Sequence, residues 1–497
     1  MRRIQRQTLI EGWNQDKLDS SFLVSMGKGL ASRYAALLGS CIEFGRILHI
    51  SREQTKDEFI GKAIKRGPVS PKLAEIISQL NPTISIEGYC GPLNSEVMVN
   101  SVTSQANAYF HGGNSIEERR YILANFVIDP RQFRESHFID QQFVFSGGDD
   151  HALRVSSYHQ ERLKDHHLVP QYNSGKPGRI VAIAQASLGL GELVGRIMSL
   201  GNPLDDQITL NFWSDKRTHH EDSFDWTNFD PSDKSILVVG EGAIGTIYLE
   251  AIFDLGFKTI YGMDYDTISL TNPARSPHYA GKVGRYKTNV AASHFNKRTD
   301  VTQFKSMKRT FTEDSKIPKV DLMISAVDGF ENQMAIINYS QRHQVPLLLG
   351  GCTPNRAHVY AYVPGQTSSM LYQFDFLREA YLSTIRKTHR HCTDPEVEGS
   401  NMITTALCGA LLAGETINFF SGHPLKGPLS YDMYSLPRLS YVPLEGLQDL
   451  GTSIPRFQPL VSDHVQRTLI DSIESILVKG MPFERWYEQE GNLLNKG

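Results

Sequence analysis

The sequence lacks the features that mark secreted, membrane-spanning or nucleic-acid-binding proteins. Among its 497 residues, lysine plus arginine total 51 and aspartate plus glutamate total 54, so the net charge is −3. Binding nucleic acid through a broad basic surface needs an excess of positive charge, which is absent here. No apolar run approaches the roughly 20 residues of a membrane helix, and no apolar signal core follows the N-terminus. We therefore expect a cytoplasmic protein with neither nucleic-acid nor membrane partners.

Cysteine is also scarce. The chain has five cysteines, namely Cys41, Cys90, Cys352, Cys392 and Cys408. An odd, scattered set does not form a disulfide framework, and no Cys-x-x-Cys pair indicates a zinc site. The 17 histidines are scattered as well. Five hundred residues nevertheless suffice for two or three domains, each with its own core.

The most informative stretch is 235–287. A short apolar run leads into Gly240, Gly242 and Gly245, a helix-like segment follows at 247–255, and a second apolar run at 259–263 ends at Asp264. This order of strand, glycine turn, helix, strand and acid predicts a nucleotide-binding βαβ unit. The glycines allow a phosphate to approach the helix N-terminus, and the carboxylate can bind a ribose hydroxyl.

The residues after this unit distinguish between two classes of nucleotide site. By itself, a glycine-rich turn is more typical of a dinucleotide-dependent oxidoreductase. A dehydrogenase, however, has no need for the Asn272, Arg275 and Lys287 that follow here. A site that handles the triphosphate of ATP does need such groups, because they stabilise charge on leaving phosphates. No substrate domain with a hydride-transfer site is evident, which also argues against an oxidoreductase.

Taken together, the glycine turn, Asp264-x-Asp266, Asn272-x-x-Arg275, Gly284-x-x-Lys287 and the strand-like run ending at Asp328 stand in one order. They resemble the adenylation domain of the ubiquitin-activating enzyme superfamily, which includes the ThiF- and MoeB-type adenylyltransferases. The resemblance covers about the second half of the chain. One departure is that the basic residue common shortly after this aspartate is missing, with Asn332 and Gln333 nearby.

The resemblance implies roles for single residues. Asp264 would bind the ribose beside Asp266, and Asp328 would bind Mg²⁺. The first copy would supply Arg6, whose counterpart in the superfamily reaches the ATP phosphates of the partner site; a solvated basic N-terminus is the alternative. No zinc is expected. The remaining implied ATP contacts are Gly240, Gly242, Gly245, Asn272, Arg275 and Lys287.

The first half of the chain repeats the landmarks of the second. We interpret this as an α/β protein of two Rossmann-like adenylation domains in a pseudo-two-fold arrangement, with a C-terminal extension. The expected boundaries are 1–215 for an inactive copy, 216–425 for the active copy, and 426–497 for the extension. The first copy has lost its chemistry, because Ser32 replaces the third glycine and Ser51 stands where the ribose acid should be. Two unrelated βαβ units sharing a pattern remain the alternative.

Cys392 decides how far the predicted chemistry goes. It lies in the segment 366–400, where thioester-forming superfamily members keep their nucleophile, and cations beside it favour the thiolate. The resemblance thus implies activation of a ubiquitin-like protein: adenylation of its C-terminal glycine, thioester formation on Cys392, and transfer to a conjugating enzyme. Bacterial ubiquitin-like conjugation systems, some acting in phage defence, are the analogy. The alternatives are a sulfur-carrier or microcin-type peptide adenylyltransferase, and a nucleotide-binding scaffold without turnover.

Overall fold

The computed structural model describes most of both halves of the chain. The described residues are 7–27, 29–51, 53–54, 57–64, 67–90, 120–125, 142–149, 154–159, 178–201, 208–212, 228–299, 301–367, 401–423, 425–433 and 439–443. Within them, two mixed β-sheets are flanked by helices, which gives the α/β class expected from the sequence. A predicted helix within 460–478 lies outside the described residues.

The first half builds a seven-stranded sheet. Its order is β5-β2-β1-β6-β7-β8-β9, with β3 and β4 forming a separate hairpin. The first five of these strands run parallel, and the last two add antiparallel. The strands are β1 Phe22–Met26, β2 Arg46–Ile50, β3 Asp57–Phe59, β4 Lys62–Ile64, β5 Ser85–Tyr89, β6 Arg120–Asn125, β7 Gln142–Asp149, β8 Arg154–His159 and β9 Ile208–Asn211.

The second half builds an eight-stranded sheet in the order β12-β11-β10-β13-β14-β15-β16-β17. Its first five strands also run parallel, and its last three are antiparallel. The sheets therefore repeat one order and one set of directions over seven strands. The strands are β10 Ser235–Val239, β11 Thr259–Met263, β12 Gln303–Met307, β13 Leu322–Ser325, β14 Leu347–Cys352, β15 Arg356–Tyr362, β16 Lys426–Asp432 and β17 Leu439–Pro443.

The strands β16 and β17 begin the stretch expected to be a C-terminal extension, yet both belong to the second sheet. The expected boundary at residue 425 therefore does not coincide with the edge of the sheet. Each antiparallel strand extends the sheet by backbone hydrogen bonds to its neighbour, so these residues are part of the same layer.

Helices cover the sheets and join the two halves. The helices are α1 Gln15–Asp19, α2 Leu30–Cys41, α3 Val69–Leu80, α4 Gly178–Met198, α5 Ala243–Ile252, α6 Lys287–Phe295, α7 Phe330–His343 and α8 Met402–Ser421. Short 3₁₀ helices span Gln7–Leu9, Asn272–Ala274 and Pro277–Tyr279. The helix α8 begins at Asn401, whose side chain accepts hydrogen bonds from the amides of Ile403 and Thr404, and its C-cap is the left-handed Gly422.

The helices α4 and α8 pack against each other in the core. Glycine permits α8 to approach α5 closely as well, since a Cβ on Gly409 would lie 2.7 Å from the side chain of Ile247 on α5. By length and apolarity, both helices could cross a membrane, contrary to our expectation that no segment reaches that length. They are 94% and 89% buried inside the protein over the windows concerned, as core helices are. Their apolar character therefore reflects burial on all sides.

Candidate active site

The predicted site residues gather at one edge of the second sheet. Because β10 pairs in parallel with both β11 and β13, the carboxyl ends of these three strands lie side by side. Gly240 follows β10, Asp264 follows β11, and Asp328 lies three residues beyond β13. In open α/β sheets, ligands bind outside the carboxyl ends of the strands, which makes this edge the candidate site.

The three glycines after β10 have different roles. Gly240 has φ +91°, and a Cβ there would lie 2.6 Å from the carbonyl oxygen of Ala326. A Cβ on Gly245 would lie 2.0 Å from the carbonyl oxygen of Gly240. Both positions therefore require glycine for the turn itself. Gly242, in contrast, would direct a Cβ into open space, with nothing within 4 Å. That space lies at the N-cap of α5, where a phosphate can approach the backbone.

Asp264 closes the turn. Its Oδ2 accepts a 2.8 Å hydrogen bond from the amide of Glu241, and its Oδ1 accepts one of 2.8 Å from the amide of Asp266. Burial raises the pKa of Asp264, although the Lys287 ammonium opposes the rise. Each carboxylate oxygen retains a second lone pair, so the residue can still accept from a hydroxyl.

Lys287 lies opposite these carboxylates. Its Nζ is 2.6 Å from Asp266 Oδ2 and 3.6 Å from Asp264 Oδ2, and its side chain is 9% exposed. Burial opposes the ammonium charge, but Asp264, Asp266 and, more weakly, Asp328 raise the pKa of Lys287. A backbone hydrogen bond from the Lys287 amide to the Asp266 carbonyl returns the chain to the site. Lys287 is therefore a fixed cation at the sheet edge.

Asn272 and Arg275 lie in the loop between these groups. Asn272 Oδ1 accepts a 2.8 Å hydrogen bond from the amide of Ser269, and its carbonyl accepts one of 2.9 Å from the Arg275 amide. The loop contacts α5, since Thr246 Oγ1 donates to Ser276 Oγ over 3.1 Å. Arg275, a half-buried residue, therefore directly precedes the loop residue that is anchored on the first turn of α5.

Asp328 was assigned to Mg²⁺ by the resemblance. Its residue is exposed, and its backbone carbonyl accepts a 3.0 Å hydrogen bond from Asn332 Nδ2. An accessible carboxylate beside an open phosphate approach fits Mg²⁺, which binds through one or two carboxylates plus phosphate oxygens. Asn332 therefore has a structural role in the turn that precedes α7.

Two residues of this site were missed by the sequence analysis. Glu241, within the glycine turn, is fully buried, and neither carboxylate oxygen has a hydrogen-bond partner among the described residues. Burial, reinforced by Asp264, raises the pKa of Glu241 well above its usual value, which favours the neutral form of the side chain. Tyr279 donates a 2.6 Å hydrogen bond to the backbone carbonyl of Glu241. The position of Glu241 between two motif glycines was a signal that could have identified it. Tyr279 is 38 residues away from Glu241 in sequence, so no local pattern indicates its contact with the turn.

The corresponding turn of the first half is closed by its own side chains. Glu53 Oε2 accepts a 3.1 Å hydrogen bond from the amide of Gly29, at the N-cap of α2, and its Oε1 lies 2.7 Å from Arg33 Nη2. Ser32 donates to the Gly27 carbonyl over 3.1 Å and contacts His49 Nε2 over 3.1 Å. A protein carboxylate thus lies where a phosphate would approach this helix.

Two predicted catalytic residues, Arg6 and Cys392, lie outside the described residues. The four other cysteines can be compared, and of these Cys90 and Cys352 are half-buried. Cys41 and Cys408 are buried, and burial together with Cys352 raises the pKa of the Cys408 thiol. Cys352 is half-buried at the end of β14, with its sulfur 3.8 Å from Thr405 Oγ1. The raised pKa of the Cys408 thiol favours its inert, protonated form.

The sequence model described as the ThiF family matches residues 230–445. The chain carries a ThiF family domain. This domain contains the whole sheet-edge site described above, and the resemblance to the ubiquitin-activating superfamily is confirmed over it. Its sheet is the mixed α/β arrangement expected for a Rossmann-like fold.

The chain is also similar to curated enzymes. Ubiquitin-like modifier-activating enzyme 5 of Drosophila willistoni is 27% identical over 153 residues, which are 27% of this chain and 38% of that protein. The enzyme of the same name from Arabidopsis thaliana is 26% identical over 155 residues, covering 27% of this chain and 36% of that protein. The match spans less than two fifths of the length of these relatives.

Among solved structures, E. coli MccB with ATP aligns with a TM-score of 0.37 and 16% identity, covering 55% of this chain and 71% of that one. E. coli MccB with AMPCPP and selenomethionine MccA aligns with a TM-score of 0.38 and 16% identity, covering 55% and 72%.

Proposed function

We propose that the protein is an ATP-dependent activating enzyme for a ubiquitin-like protein. It adenylates the C-terminal glycine of that protein, receives it on Cys392 as a thioester, and passes it to a conjugating enzyme. The single observation that carries the proposal is the juxtaposition of an open glycine turn with Asp264, Lys287 and Asp328 at one sheet edge. The match to the ThiF family and the names of the curated relatives support it.

Adenylation is an in-line attack of a carboxylate on the α-phosphorus of ATP, with pyrophosphate leaving. Positioning and charge stabilisation therefore supply most of the rate. The turn at Gly242 admits the phosphates, Asp264 accepts a ribose hydroxyl, and Lys287 and Arg275 balance the phosphate charge. Arg6 from the first half completes the set. Asp328 would hold Mg²⁺, which neutralises charge on the phosphate oxygens.

The ion pair of Lys287 with Asp266 adds a constraint to this scheme. The ammonium is already balanced by carboxylates, so a phosphate must replace one of them as its partner. Because Asp266 is the more exposed of the two, with 45% of its side chain accessible, it can turn to solvent while Asp264 keeps its backbone hydrogen bonds. Lys287 then moves from one anion to another without losing a partner.

The test uses, as the carrier, a small ubiquitin-like protein that ends in glycine. With ATP and Mg²⁺, the parent should form a thiol-sensitive adduct on a non-reducing gel. Cys392→Ala should abolish the adduct yet keep carrier-dependent exchange of pyrophosphate into ATP, because adenylation needs no thiol. Single substitutions of the other four cysteines are the matched controls. An adduct that persists in Cys392→Ala and is lost in Cys352→Ala would assign the nucleophile elsewhere.

The same experiment separates conjugation from the alternatives. Exchange without an adduct in any variant, parent included, would favour a sulfur-carrier or peptide adenylyltransferase. ATP binding without any carrier-dependent exchange would favour a nucleotide-binding scaffold without turnover. The described residues favour neither alternative by a specific contact.

A further inference from the structure

A buried carboxylate joins the two halves of the protein. Glu250, on α5 of the second half, is fully buried. Its Oε1 accepts hydrogen bonds from Tyr34 Oη over 2.8 Å and from Arg179 Nη1 over 3.1 Å. Its Oε2 accepts one of 2.9 Å from His278 Nε2, and Arg298 donates to both oxygens. Displacement of Glu250 would remove one hydrogen-bond acceptor from each of these donors.

The donors come from both halves. Tyr34 lies on α2, and Arg179 opens α4, so both belong to the first half. Arg298 follows α6 in the second half and also donates to Glu58 Oε2, on β3 of the first half, over 2.9 Å. Removing one partner from such a buried network leaves an uncompensated charge or donor, which is strongly unfavourable. The arrangement therefore fixes α5 relative to the first half.

This cluster is a charge network rather than a metal centre. Ligand atoms of Glu250, His278 and His294 lie within 4.8 Å of one another. Two guanidinium groups already balance the carboxylate, and Arg298 Nη1 donates to His294 Nε2 over 2.9 Å. Burial, followed by His278 and Arg298, lowers the pKa of His294 to about 2, so this ring is the neutral acceptor of that bond. A divalent cation here would face two permanent positive charges.

The same cluster is connected to the nucleotide turn through two adjacent residues. His278, bonded to Glu250, and Tyr279 are neighbours in the 3₁₀ helix Pro277–Tyr279. Tyr279 donates to the backbone carbonyl of Glu241, between two motif glycines. The amide of Glu241 in turn donates to Asp264. One three-residue helix is therefore held by Glu250 on one side and holds the glycine turn on the other.

We propose that the first half positions the nucleotide site of the second half through this helix. Tyr34 and Arg179 hold Glu250, Glu250 holds His278, and Tyr279 holds the glycine turn. These are positioning residues, since none of them contacts the nucleotide approach at Gly242. The proposal rests on the proposed function in one respect, namely that the turn binds ATP. Its consequence is that a single hydroxyl in the first half alters nucleotide affinity in the second.

The experiment measures ATP–Mg²⁺ dissociation constants of the full chain by calorimetry, with melting temperatures alongside. Tyr34→Phe removes only the hydroxyl that bonds Glu250. The matched control is Tyr248→Phe, which lies on α5, is equally buried, and loses a 3.0 Å hydrogen bond to Thr416 Oγ1 on α8 instead. We expect both variants to melt slightly earlier. Tyr34→Phe should weaken ATP binding about fivefold or more, a typical coupling between sites, and Tyr248→Phe should leave it unchanged.

A second comparison tests the route. If the coupling passes through Tyr279, the double variant Tyr34→Phe/Tyr279→Phe should bind ATP no more weakly than Tyr279→Phe alone. The Tyr279 substitution already removes the hydrogen bond to the glycine turn, so the Tyr34 substitution has no further effect on ATP binding. Additive losses would overturn the route through Tyr279, and equal ATP affinity in Tyr34→Phe and Tyr248→Phe would overturn the coupling itself. Either result leaves ATP binding by the parent intact. A parent that binds no ATP would overturn the proposed function and the coupling together.

Discussion

Lys287 Nζ lies 2.6 Å from Asp266 Oδ2, a hydrogen-bonded ion pair at the open edge of the second sheet. It joins the block Asp264-x-Asp266 to the block Gly284-x-x-Lys287, because an isolated antiparallel bridge between Thr267 and Tyr286 returns the chain to the residues that follow β11. The pair thereby holds together the two ends of the loop that contains Asn272 and Arg275. Some residues of this site stabilise the fold, whereas others remain accessible to a ligand.

Two glycines of the turn should behave in opposite ways. Gly242→Ala adds a methyl group where nothing lies within 4 Å, so the melting temperature should stay within experimental error of the parent while ATP binding weakens about tenfold or more. Gly240→Ala places a Cβ 2.6 Å from the Ala326 carbonyl at φ +91°, and should cost about 1–3 kcal/mol of stability. Calorimetry and thermal melting of both variants distinguish the roles. Normal ATP binding by Gly242→Ala would place the phosphates elsewhere.

Glu241 should make stability fall as pH rises. Burial, then Asp264, raises its folded-state pKa well above the usual 4.5, so the folded chain binds a proton that the unfolded chain releases. This contribution is present below about pH 4.5 and is lost as pH rises toward the folded pKa. Glu241→Gln keeps the shape of the side chain without an ionisable group, so the stability of this variant relative to the parent should increase between pH 5 and pH 8. The exposed Glu11→Gln is the control in melts across this range. Parallel curves for parent and Glu241→Gln would show that the acid is charged.

His49 should act in the opposite direction. Burial, then Arg33, lowers its pKa from 6.5 to about 3, and both ring nitrogens contact serine hydroxyls. The unfolded chain therefore binds the proton first, and the stabilising contribution is lost as pH falls from about 6.5 toward 3. Below pH 6.5, the free energy of unfolding of the parent, measured with denaturant, should fall by about 1.4 kcal/mol more per pH unit than that of His49→Asn. The exposed His343→Asn should follow the parent. Identical slopes in all three proteins would assign His49 an ordinary pKa.

The sequence was sufficient for those elements whose pattern is local. β11 occupies the residues of the second apolar run, 259–263, because a short apolar, β-branched segment that ends at an acidic residue is a local signal for a buried strand. The helix after the glycine turn was expected at 247–255, yet α5 begins at Ala243. Helix N–H groups begin at the turn itself, so apolar periodicity alone places the start too late.

The contacts that organise the site were not legible in the same way. Asp264, Lys287 and the glycines carry spacing signals, whereas Tyr279 reaches Glu241 over 38 residues and Tyr34 reaches Glu250 over 216. Such pairs connect elements that are far apart in the sequence, so no local pattern indicates them. The closure of the first glycine turn by Glu53 is similar, since its acid lies two residues beyond the position compared with the ribose acid.

That closure predicts a stoichiometry. Because Glu53 and Arg33 fill the N-cap of α2, we expect one ATP per chain rather than two, measured by calorimetric titration. Glu53→Gln, which removes the charge and retains the hydrogen-bonding shape, should still bind one ATP, since Ser32 and His49 also block the first turn. Two equivalents bound by the parent would mean that the first half retains a working site.

The central claim is that the edge formed by Gly242, Asp264 and Lys287 binds ATP. The most direct measurement is the ATP–Mg²⁺ dissociation constant of Lys287→Ala against that of Arg342→Ala, which also removes a cation from an ion pair but lies on α7, away from the carboxylates of the site. We predict that the dissociation constant of Lys287→Ala is at least tenfold larger than that of the parent, since a charge-assisted phosphate contact is lost. The dissociation constant of Arg342→Ala should be unchanged. Equal constants in the two variants and the parent would contradict the account.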